Sequence, residues 1–134
     1  MNRRQQIALA QGTYFAATGI WPLLHMPSFE AVTGPKTDRW LVRTVGVLVA
    51  VIGGTLVSAA LRNRVTGEVA ALGAASAGGL GAVDAYFAGQ GRIDPVYLTD
   101  AAVQAVIVAG WADALRPPRT YAHHLPTDDR SLWL

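Results

Sequence analysis

The clearest hydrophobic segment of this chain is residues 40–61, WLVRTVGVLVAVIGGTLVSAAL. It carries one charge, at Arg43, and the run from Thr44 to Leu61 carries none. A helix needs about 20 largely apolar residues to cross the hydrocarbon core of a bilayer. Residues 40–61 meet that requirement, so this segment predicts a membrane-spanning helix.

Three further segments approach the same length, at about residues 5–24, 68–89 and 95–115. The first has no charge, and each of the other two carries two acidic residues. Read alone, the first and the last also fit a buried helix of a soluble protein. Capping residues and prolines agree with these starts and stops, and they lie at Asp38, Thr66, Asp94–Pro95 and Arg116–Pro117.

The composition of the whole chain favours a membrane protein. Hydrophobic residues make up 51% of the 134 residues and charged residues only 15%, whereas an average soluble domain has about 25% charged residues. We therefore predict an all-α membrane protein, with four transmembrane helices packed as a small bundle within residues 1–116. Residues 117–134 are predicted to form a polar C-terminal tail. Because the chain has no cysteine, disulfides, thiol nucleophiles and thiolate metal sites are excluded.

The distribution of Lys and Arg predicts the orientation, because cytoplasmic loops carry an excess of these residues. With four spans, both termini and the loop between the second and third helices share one face, which carries seven Lys and Arg residues. The opposite face carries four, namely Lys36, Arg39, Arg43 and Arg92. This asymmetry predicts a multi-pass protein of the cell membrane with both termini in the cytoplasm.

Small residues recur at four-residue intervals in the predicted helices, and such stripes let membrane helices approach each other closely. We expect the stripes to pack inside the bundle; the alternative is that one of them contacts an external partner. The predicted packing residues are Gly46, Ala50 and Gly54 in the second helix and Gly73, Ala77 and Gly81 in the third.

Ionisable residues within the predicted spans indicate a polar cluster in the outer third of the bundle. Arg43 and Asp84 lie at helical spacing from the small-residue stripes, and Asp100 lies at a similar depth in the fourth helix. Since charges within a span are costly, one prediction is a structural salt bridge from Arg43 to either acid. The alternative is that the surplus acid binds a cation or an amine, or relays protons. The first helix is predicted to add His25, Tyr14 and Thr18 to this cluster.

The sequence contains no complete catalytic or cofactor motif, so we predict a protein that is not an enzyme. Its basic residues are scattered and not interleaved with aromatic residues, which argues against nucleic-acid binding. His25 is the one histidine near a span, and axial ligation of haem or chlorophyll is a weaker alternative there to an interfacial hydrogen bond. The sequence leaves the cofactor open and predicts no metal site.

The leading functional hypothesis is an integral membrane accessory or structural subunit of a larger complex, whether respiratory, photosynthetic or transport-related. Its partners would be the lipid bilayer and other membrane protein subunits. The alternative hypothesis is a membrane protein that binds a small molecule, an ion or protons through the cluster of Arg43, Asp84 and Asp100.

Overall fold

A computed structural model describes residues 1–117 of the chain. Within these residues there are five α-helices and no strand, which confirms the all-α class. The helices are α1 (Arg3–Leu24), α2 (Met26–Thr33), α3 (Arg39–Leu61), α4 (Gly67–Gly89) and α5 (Tyr97–Ala114). The four long helices lie at the segments expected from the sequence, and α2 is an additional short helix. The polar tail expected at 117–134 lies outside the described residues, apart from Pro117.

Local capping explains where two of the long helices begin. The side chain of Asn2 accepts a hydrogen bond from the backbone of Gln5, and the Gln5 side chain accepts one from the backbone of Asn2. This reciprocal pair is a capping box. Thr66 caps α4 by accepting a hydrogen bond from the backbone of Val69. Asp38 also precedes a helix, α3, but its side chain makes no capping hydrogen bond.

The closest helix packing in the fold is between α1 and α3, at four glycines that we call the glycine interface (Gly12, Gly19, Gly46 and Gly53). A Cβ atom on Gly12 would lie 2.8 Å from the Gly53 carbonyl oxygen, and one on Gly19 would lie 2.6 Å from that of Gly46. Both distances are too short for a real side chain. The two backbones therefore touch directly at two points, which are seven positions apart on each helix.

The second helix pair, α4 with α5, packs differently. A Cβ atom on Gly73 would lie 2.7 Å from the indole ring of Trp111, and one on Gly81 would lie 2.9 Å from Cβ of Gln104. Here the glycines of α4 leave space that side chains of α5 occupy. The backbones are consequently held apart, and polar groups of α5 enter the interior.

Helix α1 joins the two pairs through a buried glutamine. The indole Nε1 of Trp111 donates a hydrogen bond to Gln11 Oε1 at 2.7 Å, and Gln11 Nε2 donates one to the Gly73 carbonyl oxygen at 2.8 Å. Gln11 is fully buried. Because a buried amide without partners costs about 1–3 kcal/mol, this arrangement fixes the register of α1 against both α4 and α5.

The fold has a hydrophobic core that includes Phe15, Leu56 and Trp111, and it also exposes many large apolar side chains. Trp40 is 68% exposed and Val51 is 61% exposed. Soluble monomers rarely leave contiguous apolar patches larger than a few hundred Å².

Within residues 1–117, α3 alone is long and apolar enough to cross a membrane by length and composition. The expectation of four transmembrane helices is therefore not supported for the other three long helices. Each has a lower hydropathy for its own reason: polar residues interrupt α1, α4 consists largely of alanine and glycine, and α5 contains two acids.

Candidate binding chamber

A partly open pocket of about 500 Å³ lies among the four long helices beside α2; we call it the chamber. Its volume falls in the range of small-molecule sites, about 300–1,000 Å³. Most of the lining is apolar and comes from all five helices. The polar and charged lining residues are Tyr14, Thr18, Thr33, Lys36, Asp84, Tyr97, Thr99, Asp100 and Gln104.

The short helix α2 forms the cover of the chamber and is fastened to α1 by aromatic contacts. Phe29 and Val32 of α2 line the chamber. Phe29 packs edge-on against Trp21, with ring centroids 5.5 Å apart, and Trp21 Nε1 donates a hydrogen bond to Ser28 Oγ at 2.9 Å. The sequence did not predict that this segment is helical.

The far end of α2 is fixed by an ion pair and by a glycine. Arg39 Nε donates a hydrogen bond to Glu30 Oε1 at 2.7 Å across the connection to α3. Gly34 follows α2 with a φ of 92°, which glycine adopts at little cost. A Cβ atom there would lie 3.3 Å from Oδ2 of Asp94. Gly34 thus lets the α2 end approach the connection between α4 and α5.

Four residues at the base of the chamber form a carboxyl cluster (Tyr14, Asp84, Asp100 and Gln104). The Tyr14 hydroxyl donates a hydrogen bond to Asp100 Oδ1, and Gln104 Nε2 lies 3.4 Å from both Asp100 oxygens. The carboxyl of Asp84 lies beside that of Asp100. Asp100 is therefore held by α1 and α5, whereas Asp84 faces it from α4.

The carboxyl cluster contains unused hydrogen-bond acceptors. Asp84 is 7% exposed and Gln104 is 2% exposed. Among residues 1–117, the buried side-chain atoms that lack a hydrogen-bond partner are Asp84 Oδ2 and Gln104 Oε1. Native proteins leave few such groups unsatisfied, and each calls for an explanation such as a ligand or an ion.

Helix periodicity accounts for the position of these groups. Asp84 follows Ala77 by seven residues, which is close to two turns, so both side chains lie on the buried face of α4. Asp100 and Gln104 are one turn apart on α5. Gly81 provides the space that Gln104 occupies, because any Cβ there would meet the Gln104 side chain.

In the part of the chain that the structure describes, no basic side chain binds the two acidic residues at the bottom of the chamber. Lys36 lines its wall, but its Nζ donates a hydrogen bond to the Thr33 carbonyl oxygen at 2.9 Å and lies 4.8 Å from the Tyr97 ring centroid. The salt bridges within residues 1–117 are Arg3–Asp113 and Arg39–Glu30. The carboxyl cluster therefore has no protein cation as its partner in the described part of the chain.

Arg43 departs from its expected position. It is exposed, it does not line the chamber, and within residues 1–117 it forms no salt bridge with Asp84 or Asp100. The reason is geometric. Arg43 lies three residues before Gly46, which places it about 60° around α3 from the centre of the α1 contact.

Gly54 departs from expectation for the same reason. Each four-residue step from Gly46 turns about 400°, so the stripe drifts by about 40° per step. Ala50 is still half-buried against α1, but a Cβ on Gly54 would meet nothing within 4 Å. Its neighbour Gly53 makes the contact instead. The other expected packing residues, Gly73, Ala77 and Gly81, lie on the face of α4 that packs within the fold.

Of the remaining site candidates, Tyr14 and Thr18 line the chamber and His25 does not. Tyr14 belongs to the carboxyl cluster, and Thr18 lines the wall while its hydroxyl donates to the Tyr14 carbonyl oxygen at 2.8 Å. His25 is exposed at the junction of α1 and α2, where its Nδ1 accepts a hydrogen bond from the backbone of Ser28 at 3.2 Å. The structure thus gives His25 a helix-capping contact outside the chamber.

Comparisons with known proteins identify no relative of this chain. No protein-family model, no curated protein and no solved structure matches it. Within the described residues there is also no group of three or more His, Cys, Asp or Glu side chains arranged to hold a metal ion. The function must therefore be argued from the chamber itself.

Proposed function

We propose that this chain is a multi-pass membrane protein that binds a small molecule in the chamber. In this arrangement α1, α3, α4 and α5 cross the bilayer and α2 lies at one membrane surface. The observation that carries the proposal is the pair of buried, unpartnered acceptors, Asp84 Oδ2 and Gln104 Oε1, on two residues that line a mostly apolar pocket.

The exposed apolar surface supports placing all four long helices in lipid. In a bilayer, apolar side chains face outward and polar side chains are satisfied inside the bundle. Here Gln11, Asp84 and Gln104 are buried, whereas exposed apolar residues occur on every long helix, including Leu23, Leu48, Val83 and Val106. Weakly apolar helices such as α4 gain from close packing through small residues rather than from their own hydropathy.

The chamber supports binding rather than a purely structural role for the buried acids. A structural salt bridge predicts a basic partner, and the described residues provide none within salt-bridge distance. A cavity with apolar walls and a few convergent polar groups is the usual form of a small-molecule site. The walls would contact an apolar body, and the base would contact a polar end.

Cysteine labelling tests the membrane arrangement, because the native chain has no cysteine of its own. We would place single cysteines at three exposed connections, as Thr37→Cys, Arg64→Cys and Arg92→Cys. Four spans with both termini in the cytoplasm predict that an impermeant maleimide labels positions 37 and 92 in intact cells, and position 64 only after permeabilisation. If α3 were the one span, positions 64 and 92 would share a side, and the multi-pass proposal would be wrong.

A second labelling experiment tests whether the chamber is accessible. Thr18→Cys places a thiol on the chamber wall, whereas Ala77→Cys places one in the packed face of α4. N-ethylmaleimide should modify position 18 in the folded protein and leave position 77 unmodified. Equal protection of both thiols would show that the chamber admits no small molecule, and would contradict the binding proposal.

The accessory-subunit hypothesis stays a second candidate because of one surface feature. An open groove of about 460 Å³ lies along the outward face of α3, where Gly54 leaves a gap beside Val51, Thr55 and Ser58. Such a gap fits the close approach of another membrane helix. Gly54→Leu should then release the chain from a larger assembly, measured as native mass in mild detergent. Isolation of the wild-type chain without other subunits would contradict this candidate.

A further inference from the structure

We infer that the ligand of the chamber is an organic amine in its protonated form, with an ammonium group on the carboxyl cluster and an apolar body against the walls. This inference rests on the proposed binding function and specifies its ligand class. It follows from the hydrogen-bonding capacity of the cluster, from its charge and from the composition of the walls.

The hydrogen bonds of the carboxyl cluster leave acceptors and no free donors. The Tyr14 hydroxyl and the Gln104 amide nitrogen both donate to Asp100. The nearby Thr18 hydroxyl donates to a backbone carbonyl. What remains is Asp84 Oδ2 and Gln104 Oε1, both acceptors. A ligand must therefore bring donors, and an ammonium group is a donor at every N–H and has no acceptor.

The charge of the cluster favours the same ligand. A carboxylate withdrawn from water costs several kcal/mol unless an opposite charge and hydrogen bonds compensate it. Within residues 1–117 neither Asp84 nor Asp100 has a salt-bridge partner, and Lys36 is bonded elsewhere. A cationic ligand supplies the missing charge where the cluster is most buried.

A shared proton is the main competing explanation, and it leaves one acceptor unexplained. A proton held between Asp84 and Asp100 supplies one donor. Two acceptors are free, and one of them, Gln104 Oε1, belongs to an amide rather than to either acid. An ammonium group brings more than one N–H donor, which matches the number of free acceptors. A metal ion is a poorer fit, because the described residues hold no cluster of three or more suitable ligands.

The walls select an amine with an apolar body. Above the cluster the chamber is lined by apolar side chains from several helices, including Phe15, Val49 and Leu80, with Phe29 and Val32 of α2 as the cover. A small hydrophilic amine would leave these walls without contacts. A compact hydrocarbon amine buries its apolar surface there, which contributes about 25 cal/mol per Å².

The experiment compares adamantylamine with adamantanol, which share a rigid hydrocarbon body and differ in the cationic group. The full-length chain is purified in mild detergent, and its thermal unfolding is followed at neutral pH with each compound. Adamantylamine should raise the Tm of the wild-type protein in a concentration-dependent manner, and adamantanol should raise it much less. In Asp84→Asn the Kd for adamantylamine should rise by at least about tenfold, which corresponds to about 1.4 kcal/mol.

Two controls keep the test decisive. Asp113→Asn removes an exposed carboxyl on α5 outside the chamber, and its response to adamantylamine should equal that of the wild type. Asp84→Asn preserves side-chain size, and its Tm without ligand shows whether it is folded. If both compounds stabilise the wild type and Asp84→Asn equally, the amine inference is wrong while chamber binding stands. If neither compound shifts the Tm, the amine inference is also wrong, and the reactivity of Thr18→Cys then decides the binding proposal separately.

Discussion

Small residues have opposite roles in the two helix pairs, α1 with α3 and α4 with α5. Between α1 and α3, glycines face glycines and the backbones touch, so that the contact leaves no space for a polar group. Between α4 and α5, glycines face Trp111 and Gln104, and the space that they leave is occupied by polar side chains. The first pair is packed backbone against backbone, and the second pair positions the acids of the chamber. A small-residue stripe therefore predicts close packing, but the facing residue determines whether it closes the interior or builds a site.

The largest effect should come from breaking the glycine interface. In Gly53→Leu the new side chain meets backbone atoms of α1, because even a Cβ would lie 2.5 Å from Ala16 N. Backbone cannot yield as a flexible side chain does, so we expect a loss of at least about 2 kcal/mol in the free energy of unfolding. The neighbouring variant Gly54→Leu is the matched control, since its Cβ meets nothing within 4 Å. Unfolding in mixed detergent measures both, and similar stabilities would show that α1 and α3 do not pack this way.

The next largest loss of stability should follow from removing the hydrogen bond between Trp111 and Gln11, which joins the two helix pairs. Trp111→Phe keeps most of the ring but removes the indole donor to Gln11 Oε1. A buried acceptor that loses its partner costs about 1–3 kcal/mol. The double variant Gln11→Leu with Trp111→Phe removes both polar groups and should recover part of this loss. A single variant as stable as the wild type would contradict the buried hydrogen bond.

A smaller effect is expected at Gly81 of α4, which packs against α5 and provides the space for Gln104. Gly81→Ala adds a Cβ 2.9 Å from Cβ of Gln104. Because the α5 backbone fixes that Cβ, α4 and α5 must move apart slightly. We expect a loss of about 1 kcal/mol in the free energy of unfolding, at the low end for overpacking, together with weaker adamantylamine binding. Gly79→Ala, where the added Cβ has open space, should bind adamantylamine like the wild type. Equal affinities in both variants would mean that Gln104 does not contribute to the ligand site.

The smallest effect is expected at Arg43. Its side chain is exposed and lies away from Asp84 and Asp100, so Arg43→Leu should change the free energy of unfolding by no more than about 0.5 kcal/mol. Adamantylamine affinity should also be unchanged. A loss of several kcal/mol, recovered by Asp84→Leu in the same chain, would instead restore the salt bridge that the sequence suggested.

Much of the helical framework could be predicted from the sequence. The long apolar run of residues 40–61 and the capping signals of Thr66 fall where α3 and α4 begin or end. The placement of Asp84 and Asp100 near each other also follows from helical spacing and depth. These features depend on local sequence and on the 3.6-residue period, which a single chain displays directly.

Other features depend on tertiary contacts and could not be predicted in the same way. Four-residue counting placed Gly54 on the packing stripe, whereas the seven-residue spacing of Gly46 and Gly53 follows the true contact with α1. Gly12 and Gly19 of α1 have the same seven-residue spacing, and this match between the two helices was the sequence signal for the α1–α3 contact. The helix α2 was missed because it has only 8 residues, although Pro27 near its start is typical of a first helical turn.

Protection of a chamber thiol by an amine measures most directly whether the chamber binds a protonated amine. Thr18→Cys is reacted with N-ethylmaleimide in the presence and absence of saturating adamantylamine, and the labelling rates are compared. An amine seated on the carboxyl cluster predicts slower labelling, no slowing by adamantanol at the same concentration, and loss of protection in the double variant with Asp84→Asn. Labelling of Thr18→Cys at the same rate with and without adamantylamine would contradict the claim that this chamber binds a protonated amine.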